Sequence, residues 1–101
     1  MIEDIRYYYL HMGKGTITAY TERKREADGT IRFVRLGFSV CAPKDNFNKE
    51  KGRLIATGRA AKKPIYVPHS GNTYKDVEKY VKENTAQFPS WVQKHIATFH
   101  W

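Results

Sequence analysis

Four histidines, one cysteine and a dense run of lysines and arginines are the side chains of this 101-residue sequence best equipped for chemistry. His11, His69, His95 and His100 are too scattered for metal-ligand spacing, and Cys41 has no second cysteine with which to build a zinc set or an internal disulfide. No metal and no cofactor is expected. Cys41 stands between Val40 and Ala42 and reads as a small apolar strand residue; as a nucleophile it would need a base beside it. An acid–base site could be assembled from His69 with Lys44, Arg53 or Arg59 as cationic stabiliser, but Asp45, the acidic residue entering that segment, is better used as a helix cap. The chain is therefore read as non-enzymatic. Gly13-Lys14-Gly15-Thr16 could offer backbone N–H groups to a phosphate, although a plain hairpin turn explains it more simply.

Binding chemistry has firmer support. The stretch PKDNFNKEKGRLIATGRAAKKP, residues 43–64, carries Lys44, Lys49, Lys51, Arg53, Arg59, Lys62 and Lys63 against Asp45 and Glu50 alone. Arg23, Lys24, Arg25, Arg32 and Arg35 add a second group. The whole chain has 18 basic and 10 acidic residues, a formal charge of +8, and so attracts polyanions: nucleic acid or an acidic protein surface. If helix and hairpin share one side, Lys44, Lys49, Arg53, Arg59, Lys63, Arg32 and Arg25 form the anion-binding set, with Arg53 and Arg59 central. The competing reading is solvated charge scattered over a small domain. Tyr7, Tyr8 and Tyr9 raise a further option. In a strand, Tyr7 and Tyr9 share a face and could stack on bases, or they could pack the core and its rim, which is preferred.

These residues need a scaffold, and the length suits one domain spanning 1–101. The predicted class is α+β: a small antiparallel sheet of about three strands within 5–42, then two or three helices packed on one face. IRYYYLHM (5–12), TITAYTER (16–23) and TIRFVRLGFSVCA (30–42) read as the strands, with Asp28-Gly29 in the second hairpin loop. The apolar phase of the third shifts, Ile31 and Phe33 on one parity and Val34, Leu36, Phe38 and Val40 on the other. That predicts a bulge near Phe33 and Val34 or cover on both faces, with Gly37 a second bend candidate. A basic helix over 46–62 is capped by Asp45 or Asn46, its apolar sector formed by Phe47, Leu54, Ile55, Gly58 and Ala61; Gly58 would let it lie close to the sheet. IYVPHSGN, from residue 65, reads as an edge strand or crossing loop. Helices at 73–85, capped by Asn72 or Thr73, and 89–99, opened by Pro89, complete the chain. Trp91, Phe99 and Trp101 are the candidate interface, with homodimerisation one outcome. No stretch approaches a membrane span, no secretory signal pattern opens the chain, and the lone cysteine suits a reducing compartment, so a cytoplasmic location is expected.

From Phe38 to Ala60 the sequence resembles small proteins encoded by bacteriophages and prophages, in which a strand ending Cys-x-Pro leads through Asp-x-Phe into a Gly-Arg-x-Ile-Ala-x-Gly-Arg helix. The matching positions are Cys41, Asp45, Phe47, Gly52, Arg53, Gly58 and Arg59. The resemblance implies a host-cell cytoplasmic setting and a binding role, on nucleic acid or on a host or defence complex in the manner of an anti-CRISPR inhibitor. It departs from DNA-mimic inhibitors, which are acidic. A third reading is a binder of a phosphorylated nucleotide ligand, with arginines holding the phosphates.

Overall fold

The computed structural model describes residues 3–98. Three long strands form consecutive antiparallel hairpins: β1 (Glu3–Met12), β2 (Gly15–Arg25) and β3 (Ile31–Cys41). After the helix α1 (Lys49–Lys62), a short strand β4 (Ile65–Pro68) returns antiparallel to β3, giving the sheet order β1-β2-β3-β4. The helix α2 (Thr73–Glu83), a 3-10 turn (Thr85–Gln87) and the helix α3 (Ser90–Thr98) follow. The α+β class with an antiparallel sheet holds. The segment from residue 65 supplies a fourth strand at the edge. Among the described residues, no helix is long and apolar enough to cross a membrane.

The phase shift in β3 has a local cause. Arg23 pairs with Val34 but Arg25 pairs with Ile31, so Arg32 and Phe33 together oppose Lys24. This is a β-bulge at the expected place. Both faces are also covered, which corrects the single layer of helices expected from sequence. Leu10, Ile17, Ala19, Val34, Leu36 and Phe38 form the main core with Val77, Val81, Phe88 and Val92 from the α2 and α3 side. Strand alternation turns Tyr7, Thr18, Tyr20 and Gly37 the other way, and α1 packs there.

The seat of α1 also differs from the expected one. Its buried residues are Gly52, Ala56 and Ala60, spaced by four, while Leu54 is 74% exposed. A Cβ at Gly37 would fall on the Ala56 carbonyl oxygen and within 2.6 Å of the Ala60 nitrogen; one at Gly52 would stand 2.7 Å from the Thr18 hydroxyl. Gly58 has open space around it and takes no part in the contact. Backbone-to-backbone closeness, rather than insertion of large side chains, holds this helix down. The N-cap is Asn48, whose side chain accepts from the Lys51 N–H at 3.0 Å, in place of Asp45 or Asn46; the Asp45 N–H instead donates to the Ala42 carbonyl in the preceding turn. Asn72 caps α2 as expected, accepting from the Lys75 N–H.

Candidate nucleic-acid interface

Small residues on its sheet side leave α1 with its cations outward. Arg53 precedes Ala56 by three residues and Arg59 follows it by three, placing them about 60° to either side of the buried line. They do not converge. On the β1 flank the Arg53 guanidinium lies 5.9 Å from the Tyr7 ring centroid and the Lys49 ammonium 4.7 Å from that of Tyr9. On the β3 flank Arg59 donates from Nη1 to the Phe38 carbonyl at 2.9 Å, just beyond the end of the β3–β4 ladder at Leu36. Lys62 and Lys63 continue that flank beside Ile65 and Tyr80. Gly52 lies over Thr18 and Ala60 over Gly37, so α1 runs toward the β2–β3 hairpin. Lys44 and Lys49 therefore mark its far end, while Lys63 stands at mid-sheet beside Ile65, the partner of Leu36, and Arg25 and Arg32 lie farther out at the hairpin. Arg25 donates to the Gly29 carbonyl across its own turn.

Ion pairing is unevenly distributed. Among the described residues, three of the five strand arginines are matched, Arg6 and Arg23 to Asp4 and Arg35 to Glu22 at 2.6 Å, while Arg25 and Arg32, at the hairpin end, meet no carboxylate. None of Lys44, Lys49, Lys51, Arg53, Arg59, Lys62 and Lys63 is within salt-bridge reach of a carboxylate there.

The tyrosines of β1 serve packing. Tyr7 meets Tyr20 edge to face and donates its hydroxyl to Thr57 at 2.7 Å, tying β1 to α1; Tyr9 packs on Phe47, and Tyr8, on the opposite face, on Tyr74. A different aromatic pair is exposed, one that sequence reasoning missed. Since α1 ends near Gly37, the hairpin half of its sheet face stays open as a hollow of ≈ 640 Å³ lined by Glu22, Lys24, Glu26, Phe33, Arg35 and Tyr66. Phe33 is 55% and Tyr66 62% exposed. The available signal was the bulge, which puts Phe33 out of phase with buried Val34 and Leu36. In the floor, Glu22 Oε1 accepts from the Tyr20 hydroxyl and from Arg35 Nη2, both at 2.6 Å. Burial by itself would raise the Glu22 carboxyl, but these two hydrogen bonds and the charges of Arg35 and Lys24 hold it below its ordinary value. Burial, and then the bond to Glu22, push the Tyr20 phenol up, and the same carboxylate raises Arg35.

The remaining candidates have structural duties. His69 Nδ1 lies 2.9 Å from Asp76, which also accepts from the Ser70 N–H, so the pair pins the turn into α2 rather than joining the α1 cations. Cys41 Sγ is 3.7 Å from the Ala42 carbonyl oxygen and 3.8 Å from that of Asp45, inside the turn that leads to α1. Gly13, at φ 63°, makes the β1–β2 turn, and a Cβ at Gly15 would strike the Trp91 ring. Trp91 thus packs on the fold, half-buried, while Phe99 and Trp101 lie outside the described residues. No known protein family, curated protein or solved structure matches the chain.

Proposed function

We propose that this is a small, non-catalytic nucleic-acid-binding protein in which α1 presents cations along two flanks to phosphates. The observation that supports it is the uneven pairing of charge: carboxylates take up Arg6, Arg23 and Arg35 of the sheet, whereas among the described residues no cation of α1 meets one. Charge left unpaired on one element contributes most of the field that a polyanion meets. The crest between the flanks carries Leu54, Gly58 and Ala61 with Lys51 in line with Gly58, so α1 presents cations suited to phosphates rather than a row of donors and acceptors for base readout. Two flanks of cations suit a ligand whose phosphates pass on both sides of a helix. The resemblance of residues 38–60 to phage-encoded proteins suggests an infected cell as the setting for such a role.

Lys51, Lys62 and Lys63 are exposed, which makes them suitable probes; Arg59 is less so, because its bond to Phe38 also holds α1 in place. Changing all three lysines to Gln should weaken binding of a labelled mixed-sequence oligonucleotide by roughly 10-fold or more at about 0.1 M salt, read by fluorescence anisotropy. Unchanged affinity, with an unchanged circular dichroism spectrum, would remove α1 as the binding element.

A further inference from the structure

We infer that the open hairpin half of the sheet is a stacking subsite for an unpaired nucleobase, so that the nucleic acid bound is single-stranded where it crosses β3 and β4. The inference rests on the nucleic-acid reading above and adds the form of the ligand. Phe33 pairs with Pro68 and Arg35 with Tyr66, so Phe33 and Tyr66 occupy diagonal positions on adjacent strands and the same face. Diagonal neighbours are about 7–8 Å apart. That is close to the separation of two rings holding one base between them, since stacked bases are spaced by ~3.4 Å. Among the described residues neither ring joins an aromatic pair, whereas Tyr7, Tyr8, Tyr9, Tyr20, Phe38 and Phe88 all do.

Charge tells which part of a nucleotide fits. The lining holds two carboxylates, Glu22 and Glu26, and two cations, Lys24 and Arg35, with Glu22 and Arg35 already bonded to each other. A balanced, aromatic hollow repels no neutral ring and offers a phosphate little net attraction. Cations without a carboxylate partner border the hollow at both ends, Arg25 and Arg32 at the hairpin and Lys62 and Lys63 where α1 stops, and suit the phosphates on either side. The volume is also within the ~300–1,000 Å³ typical of small-ligand sites. Exposed apolar rings on a sheet face need an occupant to make sense of them. The bases of a single strand supply one that the charge of the surrounding surface favours.

The test compares a labelled single strand with the duplex of the same sequence, at one salt concentration, on the wild-type chain and on Phe33→Ala/Tyr66→Ala. The wild type should favour the single strand. The double variant should lose roughly 10- to 100-fold on the single strand, the loss of two stacking contacts, with duplex binding and the salt slope unchanged. Phe33→Trp should keep single-strand affinity. Both rings are largely solvent-facing, so the variant retains the core, and a matching thermal midpoint verifies that. Equal losses on both ligands, no loss, or a wild type that prefers the duplex would each overturn the subsite while leaving α1 as a phosphate binder. If the wild type self-associates and the variant sediments as a monomer with undiminished oligonucleotide binding, the patch is a contact between copies and the subsite is wrong. A wild type that binds neither nucleic acid overturns the nucleic-acid reading and the subsite together.

Discussion

Glu22 illustrates how one carboxylate can organise a surface. It is buried at the edge of the open hollow, where an unpaired charge would be costly, and it is tolerated because Tyr20 and Arg35 both donate to the same oxygen. Its partner depends on it in turn: Arg35 Nε is buried with no acceptor, so Glu22 carries the pairing of that guanidinium. Glu22→Gln should therefore cost ~1–3 kcal/mol at pH 7, visible as a fall in Tm. The pH dependence follows from the lowered pKa. A carboxyl bound more tightly in its charged form contributes its full stability above the unfolded value of about 4.3 and loses it as pH falls through the lower folded value. The gap between wild type and Glu22→Gln should thus narrow in urea melts repeated from pH 7 down to pH 3, because the unfolded chain's carboxyl then takes up a proton that the folded one resists. A gap that stayed constant from pH 7 to pH 3 would show that the charge of Glu22 does not carry the effect.

At the level of elements, two glycines, one in α1 and one in β3 beneath it, invite opposite substitutions. Gly58 is helical and has nothing near its missing Cβ, so Gly58→Ala should stabilise by about 0.5–1 kcal/mol. Gly37 faces backbone atoms of Ala56 and Ala60 that cannot rotate away, so Gly37→Ala must lift α1 and should cost ~2–3 kcal/mol, or roughly 10 °C in Tm. Thermal melts of the two single variants decide the matter; equal effects would disprove this account of the seat. The same contrast explains what the sequence could and could not disclose. Strands, the bulge at Arg32 and Phe33, the Asn72 cap and the helices were legible because alternation, turn residues and caps are local properties. The buried face of α1 was not. Hydrophobic periodicity assigns Leu54 and Ile55 to the core, whereas this helix is seated by Gly52, Ala56 and Ala60, whose value appears only when a sheet glycine stands opposite. The cations of α1 stand out in the sequence as a run, but which flank each one occupies depends on that same rotation. Phe33 and Tyr66 were passed over because exposure on the open half of a sheet depends on where α1 stops.

Over the whole molecule, the formal charge of +8 is not spread as a uniform coat. Asp4 and Glu22 take up Arg6, Arg23 and Arg35, so the strands near them are close to balanced, and the excess falls on α1 and the segments beside it. A polyanion that meets this excess must release counterions, and the logarithm of its affinity then falls linearly with the logarithm of salt concentration. With roughly four to six phosphates engaged, the slope should be about −3 to −5. Replacing Lys51, Lys62 and Lys63 by Gln should reduce the slope's magnitude by ~2–3, because each lysine that binds a phosphate contributes slightly less than one unit. The double change of Phe33 and Tyr66 to Ala should leave it untouched, since stacking releases no counterions. The slope therefore separates the two halves of the surface in a way that a single affinity cannot. If salt between about 50 and 200 mM leaves wild-type binding unaltered, the contacts are not with phosphates, and the free cations of α1 do no more than keep a basic helix in solution.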